Sequence, residues 1–468
     1  MHRVLPSAIL LFVISQSLAV EIDTKKQLLV DDYVIDKQQG MTRVVQQPNR
    51  LQQPIITADH SWEGKVLEMP TVLWDKDRHI FRMYYWAANK DGNIYTCYAE
   101  SRDGFVWKKP ILNLHKDAKG STRNNIVLRG SGKVARTRYV FYNPDQSNKQ
   151  RKFLSLYIDN VPGLTEFLAS SPDGLHWKTE KKIGDLRHVK GGKVSKNPPF
   201  FLIEQQWGRA KDGHRYRAIW RTQSADMKKW SGGQLVIQRL PDDSPDLEFY
   251  HAASHMRGNQ NYHGIHFGYL YLYHSDPVRG VRKDGIRLEG TIDTSLMFSR
   301  DTINWTRVDR KRRFIPLGAK GSWEAGMNFT MPEVIVGDRM LFYYCAFRGT
   351  HDDKNNRASI GVGVLPLDRF VSYQPSKSKG QFTTKAFKLT GQRLEVNANA
   401  SRGSLRVEVL DAKGKVVNGF GGDSATTISN DRLRAQVRWA KPLKSLKGKT
   451  IRLRFLVERA KVFAFQVR

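Results

Sequence analysis

Cysteine is almost absent from this chain: 468 residues carry only Cys97 and Cys345. Disulfides therefore do not organise the fold. Both residues lie in strand-like runs and read as two buried thiols, because only geometry decides whether they can bridge. Helical periodicity is missing too, since no long segment repeats its apolar residues at 3.6. Beyond the N-terminus no run is long and apolar enough to span a bilayer. Glycine-rich nucleotide loops, flavin fingerprints and metal-ligand clusters are also lacking, so neither an organic cofactor nor a metal is expected. Acid is scarce, with 45 Asp and Glu against 77 Lys and Arg and a net charge of +32. The basic excess reads as spread along the chain, with a local cluster at Arg307, Arg310, Lys311, Arg312 and Arg313. A solvated surface and a polyanionic partner both fit it. No nucleic-acid motif accompanies it, so no nucleic acid is expected.

The first twenty residues have the make-up of a cleaved secretory leader. His2-Arg3 opens it, an apolar run covers Ala8 to Ile14, and Ser17-Leu18-Ala19 offers a small-x-small cleavage site. The apolar run is too short to anchor in a membrane. The mature chain is expected outside the cytoplasm, secreted or periplasmic.

Four copies of one pattern then mark the architecture. They are Ser101-Arg102-Asp103-Gly104-Phe105-Val106-Trp107, Ser171-Pro172-Asp173-Gly174-Leu175-His176-Trp177, Ser224 to Trp230 with Asp226, and Ser299 to Trp305 with Asp301. Ser, Asp and Trp keep one spacing in every copy. The Asp can accept from amides of its own turn, and the Trp can drop onto the sheet below. Between the turns lie paired strands rich in β-branched and aromatic residues, clearest after Met69-Pro70 and after Met331-Pro332. Five such units can be traced, the last with a decayed turn at Leu367-Asp368-Arg369-Phe370. Recurrence at this length indicates radially repeated β-structure. The segment Gln27–Asp36 is expected to add a strand to the last unit and close the ring. After Gln374 the pattern changes to half-buried alternation over Arg393–Asn397, Ser404–Leu410, Leu433–Trp439 and Thr450–Val457. The expectation is an all-β chain: leader 1–20, five-bladed β-propeller 21–374, and a small antiparallel β-sandwich 375–468.

At these residues the chain resembles exported bacterial proteins related to the five-bladed propeller glycosidases, the invertase and arabinanase types of glycoside hydrolase families 32 and 43. The resemblance rests on Leu29-Val30-Asp31-Asp32-Tyr33, the Ser-x-Asp-Gly-x-x-Trp turns, Gly321-Ser322-Trp323-Glu324-Ala325-Gly326-Met327, and Leu367-Asp368-Arg369-Phe370-Val371-Ser372. It implies an axial pocket holding a carboxylate nucleophile or base, a carboxylate that tunes it, and a Glu acid. One departure stands out: where those enzymes carry an Asp at a middle-blade entrance, this chain has Ser195-Lys196-Asn197-Pro198-Pro199, which can bind an anion but cannot accept a proton.

Residues at the entrances of inner strands converge on a propeller's axis. That places Glu68, Asn197, His251 and Asn328 there, with Arg138 a further candidate, and Asp31 or Asp32 if the opening strand runs inside. Glycosidic cleavage needs two carboxyl groups across the bond. Glu68 and Glu324 form the expected pair, with Asp32 a third candidate. Glu324 equally suits a loop salt bridge to an arginine, Glu68 a surface charge, and Asp32 a turn hydrogen bond. Arg221, Arg348 and His351 suit an anionic substrate group, although surface cations would look the same. Trp62 and Trp323, in glycine-flanked loops, are candidate sugar platforms. His251 and His255 share a strand face at too long an offset for one metal ion and lack a third ligand, so they read as sugar-contacting or structural imidazoles. The expected partner is an oligo- or polysaccharide, acidic or sulfated. Three functions remain open: a glycoside hydrolase, a non-catalytic glycan-binding propeller, or an envelope protein that holds anionic polymers.

Overall fold

The computed structural model describes residues 22, 25–89, 91–161, 163–186, 189, 194–209, 215–258, 261–282 and 285–468. The expected leader lies outside the described residues. Helix among the described residues is limited to 3₁₀ turns of three or four residues, and the remainder is strand and loop. Two compact units divide the chain: Arg43–Val371, and Ser372–Arg468 together with the residues before Arg43.

The first unit is a cycle of antiparallel meanders. The first holds Val66–Asp75, Ile80–Ala88 and Ile94–Ser101; the second Arg136–Tyr142, Phe153–Asn160, Leu164–Ser171 and Lys178–Gly184. The third holds Phe200–Arg209, Arg215–Ser224 and Trp230–Ile237; the fourth Leu247–Ser254, His266–Ser275 and Gly290–Ser299. The fifth holds Met327–Thr330 with Val334–Val336, then Arg339–Phe347 and Ala358–Pro366. Neighbours pack face to face. Thr96 Oγ1 meets Thr137 Oγ1 at 2.7 Å between the first and second. Leu154 and Leu156 share a core with Leu202 between the second and third, and Ile203 and Ile219 share one with Phe249 and Leu270 between the third and fourth. Single parallel pairs, Ile292 with Met327 and Ala358 with Val66, join the fourth to the fifth and the fifth back to the first.

The sealing strand is not the one expected. Asn49–Arg50 pairs with Val364 and Gly363, and Ile56 bridges to Ile360, covering the free edge of the last meander. Gln27–Leu28 instead pairs with Lys461–Val467, and Ile35–Gln39 with Lys379–Thr384, so this segment belongs to the other unit. Leu29, Val34 and Ile35 bury into that unit's core beside Phe382 and Phe455. Residues 49–56 lie just ahead of the first inner strand and reach the edge without a long connection. A covered edge cannot template pairing with another chain.

The four turns share one hydrogen-bond scheme. Each Asp accepts from the amides two and three residues on, at 2.8–3.0 Å. Each Trp donates its indole N–H to the carbonyl of the turn's fourth residue, at 2.9–3.2 Å. That fourth residue is left-handed every time: Gly104 and Gly174, but also Met227 (φ 63°) and Thr302 (φ 65°). A side chain there is strained, and burial of Met227 and Thr302 offsets the cost. In the fifth unit Asp368 takes the left-handed place and accepts from Tyr262 Oη, while Phe370 stacks on Phe267 at 3.7 Å.

The third meander is shifted by one strand. In the first, second and fourth, the strand that ends on the turn's serine is third; here Arg215–Ser224 is second. Phe200–Arg209 therefore runs against the other inner strands. Its beginning meets their ends, since Phe201 N–H donates to Met256 C=O just past Leu247–Ser254.

The second unit has two sheets around one core. Leu394–Asn399, Asp431–Val437 and Lys461–Val467 lie in one; Lys379–Thr384, Thr450–Glu458 and Ser404–Asp411 in the other. Phe382 stacks on Phe455 at 4.4 Å, and Phe455 meets Phe465 of the facing sheet at 5.4 Å.

Cys97 and Cys345 are unbridged and fully buried, and burial pushes both thiols up. A thiol kept protonated is a poor nucleophile. The native protein should therefore show no reaction with an aromatic disulfide reagent at pH 8, and two thiols once denatured. A fast-reacting thiol in the native state would contradict the packing.

Candidate functional site

Three inner strands break their register near their upstream ends, and the breaks turn charged or polar side chains inward. In Val66–Asp75, Glu68 opposes Trp86 and regular pairing resumes only at Thr71, with Met69 left-handed between them (φ 48°). In Arg136–Tyr142, Arg138 is the extra residue between Thr137 and Tyr139. In Leu247–Ser254 it is Tyr250, between Phe249 and His251. Bulges commonly re-aim side chains beside functional sites.

The reversed strand supplies the centre of this cluster. Glu204 of Phe200–Arg209 accepts from Arg138 Nη1 at 2.9 and 3.0 Å, and faces His251 Nε2 at 3.5 Å. Arg138 Nη2 donates to Glu166 at 2.8 Å, so one guanidinium serves two buried carboxylates. The two differ. Arg138 and His251 outweigh burial and hold Glu204 below the usual carboxylate range. Glu166 is raised, because burial exceeds what Arg138 and the Leu186 amide return.

Glu68 makes no such pair. Burial raises its pKa, opposed only by the charge of Arg136, whose guanidinium lies over the Trp86 ring at 5.6 Å. Its other neighbours are Tyr250 and Cys345. His351 Nδ1 meets the Leu288 carbonyl at 2.8 Å, and its Nε2 meets Tyr250 Oη at 3.1 Å. A carbonyl only accepts, so Nδ1 carries the proton and Nε2 accepts from the tyrosine. Burial lowers the His351 pKa, which keeps that imidazole neutral. Tyr250 and Tyr271 both pack on Phe329, and His251 stacks on Tyr271. The cluster thus offers a carboxyl raised by burial, a carboxylate held low by its partners, two imidazoles and aromatic side chains.

Of the residues expected from sequence, Glu68, His251, His351 and Arg138 come together here. Glu324 does not join them. It accepts from Tyr344 Oη at 2.8 Å and pairs with Arg50 at 2.8 Å. Tyr344 and Cys345 are consecutive in one strand and face opposite ways; Cys345 neighbours Glu68, so the two glutamates lie on opposite faces of that sheet. Trp323 shares the Tyr344 face, stacked at 5.8 Å, with its indole N–H on Gln52 C=O. Asp32 is exposed and belongs to the other unit. Asn197 sits at the turn end of the strands, bonded to the Arg300 carbonyl and His266, because the third meander is shifted. Arg221 is fully buried, spent on Ser195 C=O and Gln223. Asn328 is fully buried between Thr294 and the Ile315 carbonyl. Trp62 stacks on His60 and donates to Asn125. Arg348 is exposed.

Sequence reasoning missed Arg136, Glu166, Glu204 and Tyr250. For Glu204 a signal existed: counting strands back from the Ser224 turn, rather than forward from Asn197, puts a lone carboxylate in the middle of an apolar strand.

Arg138→Met should leave Glu204 with only His251 and Glu166 with only the Leu186 amide, costing about 3–5 kcal/mol at neutral pH. Glu204's depressed pKa contributes stability above the unfolded carboxylate range, and that contribution disappears as pH falls through its folded value. The gap between wild type and variant should accordingly narrow in acid. Denaturant melts at pH 7.5 and 4.5 would test this, and a pH-independent gap would count against it.

No protein-family model matches the chain, and no curated protein matches it. Among solved structures it is similar to an N-acetylgalactosamine deacetylase from F. plautii in complex with blood group B trisaccharide, at 12% identity over 71% of this chain and 97% of that chain, TM-score 0.43. It is similar to a thermostable family-43 glycoside hydrolase, at 14% identity over 68% of this chain and 95% of that one, TM-score 0.40. A fructofuranosidase from Schwanniomyces occidentalis complexed with fructosylnystose matches at 10% identity over 90% of this chain and 98% of that one, TM-score 0.37.

Proposed function

We propose that this is an exported carbohydrate-active protein, a five-bladed β-propeller with a C-terminal β-sandwich, and that it hydrolyses glycosidic bonds of an acidic or sulfated glycan at the Glu68–Glu204 hollow. The observation that carries this reading is the divergence of two carboxyl groups on the inner strands, Glu68 raised by burial and Glu204 lowered by Arg138 and His251. Environments that drive two carboxyl groups apart assign the acid and its ionised partner. Glu68 then protonates the leaving oxygen. Glu204 activates water through His251, which faces it at 3.5 Å. Tyr250 and His351 bond sugar hydroxyls, and Arg136, beside Glu68, receives a carboxylate or sulfate.

Incubation with a panel of uronic and sulfated polysaccharides, reading new reducing ends, tests the reading. Glu68→Gln should lower kcat by about 10²–10⁴. Glu324→Gln, tied to Arg50 away from the hollow, should stay within about twofold of wild type. The acid works only while protonated, so activity should fall as pH rises through the Glu68 pKa. Arg136 lowers that pKa, so Arg136→Gln should move the alkaline limb upward. An active Glu68→Gln enzyme would refute the assignment.

A second reading, binding of anionic polymers, draws on one further feature. Residues 372–468 hold 21 Lys and Arg against six Asp and Glu, close to half the net charge of the whole chain. The excess is therefore concentrated there rather than evenly spread. Along Asp431–Val437 and just beyond, Arg432, Arg434 and Arg438 are exposed on one face while Val437 is buried on the other. Replacing all three arginines with Gln should lower the salt needed to elute the protein from heparin, with hydrolysis of a short substrate unchanged. Unchanged elution would remove this surface from consideration.

A further inference from the structure

The downstream halves of the same inner strands enclose a second chamber, of about 200 Å³, at the end where the Ser-x-Asp turns lie. Its walls are mostly apolar, formed by Val72, Phe141, Met256 and Met331 among others, with Thr71, Tyr139 and Tyr142 also lining it, and Arg257 and His255 are its basic side chains. The two differ in one respect. His255 is paired, with its Nε2 3.5 Å from Glu333, which also accepts from Tyr269 Oη. Arg257 is not. Its Nε is buried without an acceptor, and burial lowers its pKa with no acidic group opposing.

Several guanidiniums of this unit have acceptors built in, whereas Arg136, like Arg257, keeps a buried Nε without one. Arg82 takes Asp75, Arg217 takes Glu248 and Arg307 takes Asp243. Arg221, without an acid, still takes a carbonyl and an amide oxygen. The buried Nε of Arg257 is a donor left without an acceptor, which a bound anion would supply. The chamber wall beside it supplies little polarity, so the missing partner carries its charge on an apolar body. An apolar cavity of about 150 Å³ accommodates benzene, and this one has room for a ring plus a carboxylate.

We propose that this chamber is a second ligand site, separate from the Glu68 hollow, which binds a small monocarboxylic acid with a flat apolar body and receives its carboxylate on Arg257. The site stands independently of the hydrolase reading, because no charged group of the hollow acts on Arg257. Glu68 is the third residue of Val66–Asp75, whereas Val72 is the seventh and faces the chamber.

Benzoate is the probe, titrated calorimetrically into the full-length protein. A fragment of this size should bind with a Kd of about 1 mM. Benzyl alcohol, nearly the same shape without the charge, should bind at least about tenfold more weakly, as should inorganic phosphate, which has charge without the ring. Arg257→Gln should lose benzoate by a similar factor, and Glu68→Gln should bind it unchanged. Met331→Trp, which fills the chamber and leaves Arg257 in place, should abolish binding and guards against a fold defect in the arginine variant. The proposal is overturned if benzoate fails to bind, if phosphate binds as well as benzoate, if Arg257→Gln and Met331→Trp both bind it normally, or if Glu68→Gln loses it.

Discussion

One guanidinium holds the centre of the first unit together. Arg138 bonds Glu166 of its own meander and Glu204 of the next, and Glu204 in turn faces His251 of the one after. Three successive meanders thus meet through a buried ionic chain, in surroundings where each charge needs its partner. Such a chain adds little net stability compared with apolar packing. Its effect is positional: it fixes Glu204 as an anion and orients the imidazole beside it. Sheets held only by the leucines and isoleucines behind this chain would pack nearly as well, without that assignment of charge.

What the sequence disclosed was local. Ser, Asp and Trp within one turn determine each other's geometry through bonds two and three residues apart, and all four copies formed as read. The alternation of strands and the change of pattern near Gln374 were equally visible, because period-two burial is a property of each strand alone. Non-local pairing was not visible. Gln27–Asp36 and Asn49–Ile56 are both short extended segments able to cover an edge, and their sequences do not say which edge each one finds. The hollow was half legible for the same reason. Glu68 follows from its place ahead of Met69-Pro70. Glu204 depends on the shift of one meander by a strand, which reverses its central segment and carries Asn197 to the far end. Glu324 was paired with Glu68 by proximity of meanders, and the alternation of Tyr344 and Cys345 separates them.

The inner strands divide their labour along their length. Upstream, the bulges at Met69, Arg138 and Tyr250 interrupt pairing and turn polar side chains toward the hollow. Downstream, beyond those breaks, register is regular in all three and the lining is mostly apolar. One set of strands therefore frames two environments of opposite character, and the breaks in pairing mark the transition between them. Left-handed Met227 and Thr302 show the complementary constraint at the outer turns, where backbone geometry is kept although glycine is not.

The seal at residues 49–56 has a kinetic side. Its partner strand, Ala358–Pro366, lies about 300 residues later, a span close to the full length of the first unit, and loops of that span form slowly. During synthesis the four earlier sheets can assemble in sequence, each on its predecessor. The circle itself stays open, with one edge of the growing structure unclaimed, until almost the whole unit has emerged. The last sheet to be made is the one that locks the first in place.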